Sequence, residues 1–311
     1  MEKVIYPLFY FLIFPGFLFT GIVGLLASWV DRKVTARVQW RVGPPWYQPL
    51  ADILKLLGKE TIVPAGPRAT FFLLAPVLGL VGVTLVSTVV WVLNLNPGSS
   101  FVGDLVVVLY LLALPPLAVI IGGAASKNPL GALGAAREMK LVLGYELPFL
   151  IAVFTVVVKV GSILFGDILN FQEFNGIMLR HPSGILAFVV AIVCSQAKLT
   201  LIPFDIPEAE QEIMSGPYVE YSGAPLAIFK LTRAMMLFAL PVFLITVFWG
   251  GLHFSGWNLL WTILKYVALL VVIVVVRNTN PRLRIDQAIR FLWGPVTAVA
   301  ILGMILAVVG L

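Results

Sequence analysis

The sequence predicts an all-α integral membrane protein, and three observations support this fold class. Of the 311 residues, 60% are hydrophobic and 12% are charged, a composition unlike that of soluble domains. Eight apolar runs have about the length that a helix needs to cross a bilayer core of about 30 Å. The loops between them are too short for a soluble domain, so we expect a single membrane domain over 1–311. The runs are approximately 4–30, 69–94, 102–125, 139–160, 184–202, 224–249, 259–276 and 289–310.

The first run, 4–30, is expected to remain in the protein as a membrane span. It is longer than the apolar core of a signal peptide, and it ends in "DRK" without a small-residue cleavage site. We therefore expect eight transmembrane helices.

The basic residues predict the orientation of these spans. Of the 21 lysines and arginines, all but Lys3, Lys159, Arg180 and Lys265 lie in or beside the segments that follow the first, third, fifth and seventh runs. Positively charged loops stay in the cytoplasm, so both termini are expected outside. The predicted cytoplasmic segments are 31–68, 126–138, 203–223 and 277–288.

A short amphipathic helix is predicted in the first of these segments. In "QPLADILKLLGKE", residues 48–60, four apolar residues share one helical face and three charged residues lie opposite. A proline suits the first turn, and Gly58 suits the end. We expect this helix, 49–58, to lie in the membrane interface; the alternative is a solvated loop. The apolar face is Leu50, Ile53, Leu54 and Leu57, and the charged face is Asp52, Lys55 and Lys59.

The residue types that bind metals and haem are sparse. The single cysteine, Cys194, lies in an apolar run, and the two histidines, His181 and His253, lie in separate loops. This pattern gives no support to disulfides, haem ligation or iron–sulfur clusters bound by cysteine. We predict no catalytic, cofactor-binding or metal-binding residues in this chain.

The loop "IPFDIPEAEQEIMSGPYVEYSG", 202–223, concentrates negative charge. It contains Asp205, Glu208, Glu210, Glu212 and Glu220 and no basic residue. If the segment is helical, Glu208 and Glu212 share one face. In a partly buried site such carboxylates raise one another's pKa, so they can store and pass protons. The alternative, which the charges alone favour, is a solvated loop that binds a basic partner surface.

A second candidate site lies in "AAREMKLVLGYELPF", residues 135–149. Arg137, Glu138 and Lys140 are expected at the membrane edge, whereas Tyr145 and Glu146 lie one to two turns inside the fourth span. An ionisable group inside a span is costly and is by default a functional candidate. The alternative is a structural carboxylate that pairs with an arginine of a neighbouring helix.

Two basic segments are the remaining charged stretches of the sequence. They are "DRKVTARVQWRVGPP", 31–45, and "RNTNPRLRIDQAIR", 277–290. Electrostatics alone would assign them to lipid headgroups or to an acidic protein surface.

Five ordered motifs together resemble a known family. They are "DRKVTARVQWRVGP", "QPLADILKLLGKE", "LGALGAARE...GYE", "PFDIPEAEQEIMSGPYVEYSG" and "NPRLRIDQ", and they extend over nearly the whole chain. The sequence resembles subunit 1 of respiratory complex I. It equally resembles the homologous anchor subunit of energy-converting membrane-bound [NiFe] hydrogenases and of related ferredoxin-oxidising, sulfur-reducing complexes.

The resemblance implies a membrane anchor that joins a peripheral electron-transfer arm to antiporter-like, ion-pumping subunits. The implied partners are hydrogenase-like and iron–sulfur subunits, antiporter-like membrane subunits and the lipid bilayer, with no nucleic acid. Iron–sulfur clusters, with or without a nickel–iron centre, would lie in the partners. The implied membrane is the cytoplasmic membrane of a prokaryote.

The resemblance also implies roles for individual residues. A proton or coupling path would begin in the acidic loop and continue inside the helices. A docking platform for the hydrophilic subunits would include the amphipathic helix. The path would contain Glu138, Tyr145, Glu146, Lys198, Asp205, Glu208, Glu210, Glu212, Glu220, Tyr221 and Arg233, and the platform Arg32, Lys33, Arg37, Arg41, Asp52, Lys55, Arg282, Arg284 and Asp286.

The chain departs from the quinone-reducing branch at informative positions. The residues before "PFD" usually include a glutamate and an arginine, as in A-E-T-N-R-T, but here "AKLTLI" places Lys198 at the glutamate position. Arg233 replaces a further glutamate, and an arginine cannot relay protons as a carboxylate does. The segment "RVGPPWYQ" is shortened and "GYE" replaces S-Y-E. These departures favour a hydrogenase-type or sulfur-reducing relative without quinone; the alternative is a divergent quinone reductase.

We therefore expect a coupling subunit of a redox-driven ion pump that has no redox centre of its own. A stand-alone secondary transporter would need charged groups near the midplane and matching repeats, neither of which the sequence provides. A passive anchor that only docks its partners is the third alternative, and Glu146 within the fourth span argues against it.

Overall fold

The computed structural model describes residues 2–64, 69–254 and 256–311. These residues form helices and connecting loops without any β-strand, so the all-α prediction is confirmed. The predicted cytoplasmic segment 31–68 ends in residues 65–68, which lie outside the described residues.

The α-helices are numbered in chain order. Short 3₁₀ turns lie between several of them, and a π-helical segment, Leu292–Val296, connects the last two. The helices are α1 Glu2–Leu12, α2 Phe17–Val38, α3 Gln48–Leu57, α4 Ala69–Leu95, α5 Asp104–Ala125, α6 Pro129–Val160, α7 Phe165–Asn175, α8 Pro182–Lys198, α9 Glu210–Ile213, α10 Gly223–Phe248, α11 Trp257–Thr279, α12 Ile285–Phe291 and α13 Thr297–Val309.

Seven helical segments of the described chain are long and apolar enough to cross a membrane. The predicted run 184–202 corresponds to α8, which has 17 residues and is about 26 Å long at 1.5 Å per residue. It is therefore at the lower limit for a span. The seven segments are Ile5–Val38, Ala69–Leu95, Asp104–Ala125, Pro129–Val160, Gly223–Phe248, Trp257–Thr279 and Ile285–Val309.

Two helices extend beyond the apolar runs that predicted them. α2 continues to Val38, past Arg32 and Lys33. α6 begins at Pro129, ten residues before the run at 139, and the Asn128 side chain caps it by accepting a hydrogen bond from Leu130 N at 2.9 Å. The first charged residue of α6 is Arg137, in its third turn, and Glu212 of the acidic loop is its partner at 2.6 Å.

The short helix α3 agrees with the amphipathic helix predicted at 49–58. Pro49 lies in its first turn, and Gly58 follows its last residue. Ile53 packs inward, whereas Leu50, Leu54 and Leu57 are each about half exposed. These exposed leucines give α3 an apolar surface suited to the membrane interface.

α10 is the central helix of the bundle. Every residue from Ala234 to Phe248 is buried, and α10 contacts α2, α3 and α4. A helix that is apolar on all sides belongs in the interior of a bundle. A second group, formed by α6, α8 and α13, packs beside it, so the polar groups of α6 and α8 face α10.

The contact between α2 and α10 depends on a glycine. A Cβ atom at Gly24 would lie 2.5 Å from the Ala234 carbonyl oxygen and 2.9 Å from the Met235 Cα. These are backbone atoms, so a side chain could be accommodated only by moving one helix. Small residues allow membrane helices to approach closely in this way.

We predict that Gly24→Ala lowers the free energy of unfolding by about 1–3 kcal/mol, because overpacking forces α2 and α10 apart. Gly21→Ala is the matched control in the same helix, since its Cβ would meet only the Leu231 side chain at 3.9 Å. The measurement is the temperature at which half of each detergent-solubilised variant remains monodisperse. Equal values for the two variants would contradict the prediction.

Candidate functional site

The acidic loop connects α8 to α10 as a series of short turns. It contains 3₁₀ turns at Ile206–Glu208 and Gly216–Tyr218, with the single turn α9 between them. Ala209 has φ −56° and ψ 95°, which ends the first turn before α9 begins. Glu208 and Glu212 therefore do not share one helical face, and each has a different partner.

Close contacts fix the second half of this loop against α6, α4 and α5. A Cβ at Gly134 of α6 would lie 2.5 Å from Pro217 Cδ. The Tyr221 ring stacks on Phe72 with centroids 4.0 Å apart, and its hydroxyl donates to Phe72 O at 2.9 Å. The Asn128 amide donates to Glu220 Oε1 at 2.6 Å. Glu220 and Tyr221 thus attach the second half of the loop to the start of α6 and to α4, respectively.

Three acids of the loop pair with arginines of three different segments. Glu208 pairs with Arg233 of α10. Glu212 pairs with Arg137 of α6 at 2.6 Å. The first contact connects the loop to α10, and the second connects it to the group formed by α6, α8 and α13.

The third ion pair ties the loop to the segment between α11 and α12. Asp205 pairs with Arg282 at 2.8 Å, and the Leu283 amide donates to Pro203 O at 3.1 Å. Glu210, in contrast, is exposed and forms no ion pair with any described residue.

Inside the helices, Lys198 and Glu146 form a salt bridge. The ammonium of Lys198, at the end of α8, lies 2.7 Å from Glu146 Oε1 on α6. The Lys198 side chain is fully buried, and its Nζ also lies over the rings of Tyr145 and Phe149, at 5.3 and 5.0 Å from their centroids. The partner of Glu146 is thus a lysine, not the arginine considered from the sequence.

A small cavity separates this buried pair from the Glu208–Arg233 pair. Its volume is about 50 Å³, more than the 10–15 Å³ that one water needs. Glu138 lines it; this side chain is 1% exposed, and its Oε2 has no hydrogen-bond partner among the described residues. The other polar lining side chains are Lys198, Thr200, Glu208, Tyr218, Thr232 and Arg233.

Hydrogen bonds connect the polar groups beside this cavity. Arg233 Nη2 donates to Thr200 O at 3.0 Å, and Thr200 Oγ1 donates to Glu208 Oε1 at 3.3 Å. The structure therefore brings together six of the predicted path residues with Thr200 and Tyr218, which the sequence analysis did not select. Tyr218 lies within a quoted motif, but the pattern gave no sign of its burial. The six are Glu138, Tyr145, Glu146, Lys198, Glu208 and Arg233.

Burial changes the proton affinity of groups in the loop. Desolvation raises the pKa of the Asp205 carboxyl, although Arg282 opposes this effect. Burial, with the nearby Glu208 carboxylate, raises the pKa of Tyr218 well above its usual value. Burial raises the pKa of Tyr221 as well. Tyr218 thus remains a proton donor at neutral pH.

The predicted docking residues form two separate surfaces. On the first, Arg32 of α2 pairs with Asp52 of α3 at 2.8 Å. Burial raises the pKa of Asp52, but hydrogen bonds from Arg32 and Gln48 outweigh it, so the net shift is downward. Lys33 Nζ donates to Gly43 O at 3.3 Å. The exposed residues of this surface are Arg37, Arg41 and Lys55.

The second docking surface adjoins the acidic loop. Arg282, Arg284 and Asp286 line a surface cavity of about 490 Å³ that Asp205 and Glu212 also line. The sequence analysis treated this basic segment and the acidic loop as separate features. The structure places them side by side.

Two further features bear on the site. Arg277 of α11 pairs with Asp31 of α2, a contact that the sequence analysis did not anticipate because the residues are far apart in the chain.

Among the described residues, no group of three or more histidine, cysteine, aspartate and glutamate side chains is placed to hold a metal ion. Cys194 is buried and unpaired by disulfide.

The chain is similar to known proteins over nearly its whole length. Residues 11–308 match a family model described as NADH dehydrogenase. The H subunit of the NADH-quinone oxidoreductase from Geobacillus kaustophilus is 34% identical over 301 residues, covering 92% of this chain and 88% of the relative. The corresponding subunit from Dehalococcoides mccartyi is 33% identical over 303 residues, covering 93% and 82%.

A solved structure is also similar. It is a chain of the membrane-bound sulfane sulfur reductase, an archaeal respiratory membrane complex, with a TM-score of 0.85 and 30% identity, covering 94% of this chain and 96% of that one. The resemblance inferred from the five motifs is thereby confirmed. The chain belongs to the NADH dehydrogenase family of membrane subunits, which includes the H subunits of the NADH-quinone oxidoreductases.

Proposed function

We propose that this chain is a membrane anchor and coupling subunit that links a peripheral electron-transfer module to antiporter-like, ion-pumping subunits. The observation that carries the proposal is the row of ionisable groups from the acidic loop into the helices. Glu208 and Arg233 lie at its loop end, and Lys198 and Glu146 lie inside. The cavity lined by Glu138 separates the two pairs.

The proposed mechanism uses this row as a proton relay. A redox change beside the loop alters the proton affinity or the conformation of the loop acids, starting with Glu208. Glu138, buried and with one free acceptor oxygen, receives a proton through water in the cavity. Protonation removes the negative charge of Glu138, which changes the electrostatic field at the Lys198–Glu146 pair, and this pair passes the change laterally to neighbouring membrane subunits. Thermodynamic linkage requires only that the oxidised and reduced states of the partner favour different protonation states or conformers of the loop.

Lys198 and Arg233 make this relay different from a path that consists only of carboxylates. Arg233 stays charged, so it acts as a fixed counter-charge for Glu208 and not as a carrier. Lys198 lies opposite Glu146 in the same way, 2.7 Å from its Oε1. Proton transfer in this chain therefore depends on Glu138 and Glu208, with Tyr218 beside them as a hydroxyl donor.

We further propose a sulfur-reductase or hydrogenase type of partner that oxidises ferredoxin, with iron–sulfur clusters and, in a hydrogenase, nickel in the partner subunits. The similarity to the sulfane sulfur reductase complex supports this type, as do Lys198 and Arg233. The main alternative is the quinone-chamber subunit of an NADH- or ferredoxin-dependent quinone reductase, which the name of the curated relatives favours.

The proposed topology follows from the distribution of charge. α8 serves as an eighth span in one membrane domain, both termini face outward, and the segments 31–68, 126–138, 203–223 and 277–288 face the peripheral arm. The two docking surfaces, around Arg32 and around Arg284, then lie on the cytoplasmic side. The membrane is the cytoplasmic membrane of a prokaryote, consistent with the bacterial relatives.

Purification of the native complex through a tag on this chain tests the assignment of the partner. Subunits are identified by mass, and metals are assayed. Iron–sulfur clusters with sulfur reduction, or nickel with hydrogen evolution from reduced ferredoxin, support the proposed type. Quinone reduction would establish the alternative. A chain that purifies alone and transports a solute would overturn the coupling role and support a secondary transporter.

Glu146→Gln is predicted to reduce the ions pumped per electron by more than half. This single change also leaves Lys198 charged and unpaired in the interior, which costs about 3–5 kcal/mol of stability. The double variant Glu146→Gln with Lys198→Met removes both charges and should restore assembly but not pumping. Ion uptake into vesicles per electron transferred is the measurement. Normal pumping by the assembled double variant would establish a passive anchor.

Glu208→Gln is predicted to reduce pumping per electron more strongly than Glu210→Gln. Glu208 lines the cavity and pairs with Arg233, whereas Glu210 is exposed. Glu212→Gln, which breaks a surface pair with Arg137, is expected to give an intermediate effect. The same vesicle assay ranks the three variants. Equal effects at all three positions would show that the loop acts only through its total charge.

A further inference from the structure

A groove of apolar side chains separates α2 from α11. At their basic ends the helices are held together: Arg277 pairs with Asp31, and the Asn278 amide donates to Thr35 Oγ1 at 3.2 Å. Away from this end the two helices leave a cavity of about 250 Å³. Its lining includes Val23, Val30 and Val34 of α2 and Tyr266, Val271 and Val274 of α11.

The groove exists because α2 packs tightly on only one of its sides. On that side Gly24 lets α2 lie against the backbone of α10 at Ala234. The side towards α11 carries branched residues that hold the helices apart. Much of α11 is exposed, including Val267 and Val271 at 43% and 48%. An unoccupied apolar groove at this place would leave both helices incompletely packed.

The dimensions of the groove fit a hydrocarbon chain better than a helix. Val23 and Val34 are eleven residues apart, about 16 Å at 1.5 Å per residue. This length is close to half of the roughly 30 Å hydrocarbon core, the depth of one leaflet. A helix about 10 Å across is too wide to enter a groove of this size and could only lie over its mouth. An acyl chain is narrow enough to enter.

A cation lies on the same helical face, at the membrane edge. Arg37 follows Val30 by seven residues and Val34 by three, so it continues the groove face of α2. It is exposed and forms no ion pair with any described residue. Arg32 and Arg277, by contrast, already have carboxylate partners. A cation at this depth attracts anionic lipid headgroups.

We propose that the groove holds one acyl chain of an anionic phospholipid whose phosphate binds Arg37. The lipid completes the packing between α2 and α11 and so supports the Asp31–Arg277 contact. The site is distinct from the row of groups between Glu208 and Glu146. On this proposal Arg37 binds lipid and takes no part in the docking surface around Arg32.

The test counts phospholipid that remains bound to the purified complex. Complexes are washed with excess detergent, incubated with phosphatidylglycerol or with zwitterionic phosphatidylcholine, washed again and analysed by quantitative mass spectrometry. Val271→Trp fills the groove, and Arg37→Gln removes the cation. The matched controls are Val275→Trp, at an exposed position of α11 that does not line the groove, and Lys140→Gln, at an exposed position of α6.

We expect Val271→Trp and Arg37→Gln each to lose one phosphatidylglycerol per complex, while both controls keep the wild-type number. Phosphatidylcholine should not be retained by the wild type. Equal retention in all variants, or equal retention of the two lipids, would overturn the proposal. A benzophenone amino acid at position 271 gives an independent result: crosslinks to lipid support the proposal, and crosslinks to a neighbouring subunit refute it.

Discussion

Ionised groups cannot be left alone in a low-dielectric interior, because the lost hydration costs several kcal/mol per ion unless a close counter-charge offsets it. This constraint governs the arrangement of the polar groups in the bundle. Lys198 is fully buried and contacts Glu146 and two aromatic rings. Glu208 and Asp31 are likewise held by arginines of other helices. The ion pairs thus determine which helices lie together as well as where charge can move.

The two bases that depart from the quinone-reducing pattern illustrate the same constraint. Lys198 and Arg233 each stand opposite a carboxylate, so each replacement produces a neutral pair in place of two acids that would repel. Glu138, Asp31 and Asp205 each have a buried carboxylate oxygen without a hydrogen-bond partner among the described residues, but Asp31 and Asp205 are ion-paired with arginines. On the proposed function, the mobile proton is therefore confined to fewer positions than in a path made only of carboxylates.

The sequence was sufficient for the fold class and for most spans, since long apolar runs reflect the thickness of the bilayer directly. The amphipathic period also predicted α3 within one residue. It was insufficient at Pro129, where α6 begins with a stretch rich in glycine and alanine that precedes the long apolar run. Contacts such as Lys198 with Glu146, and Asp205 with Arg282, depend on tertiary packing that no local pattern encodes. The break at Ala209, which separates Glu208 from Glu212, is a backbone conformation without a composition signal.

The several contacts that hold the acidic loop limit the rate at which it can move. Asp205, Glu208 and Glu212 are bound to three separate segments, and the Leu283 amide adds a backbone contact at Pro203. A loop held at one place fluctuates in nanoseconds, whereas rearrangements that break several contacts together take microseconds to milliseconds. Displacement of this loop should belong to the slower class. On the proposed function, this slower rate separates the coupling step in time from the faster thermal motion of the surface.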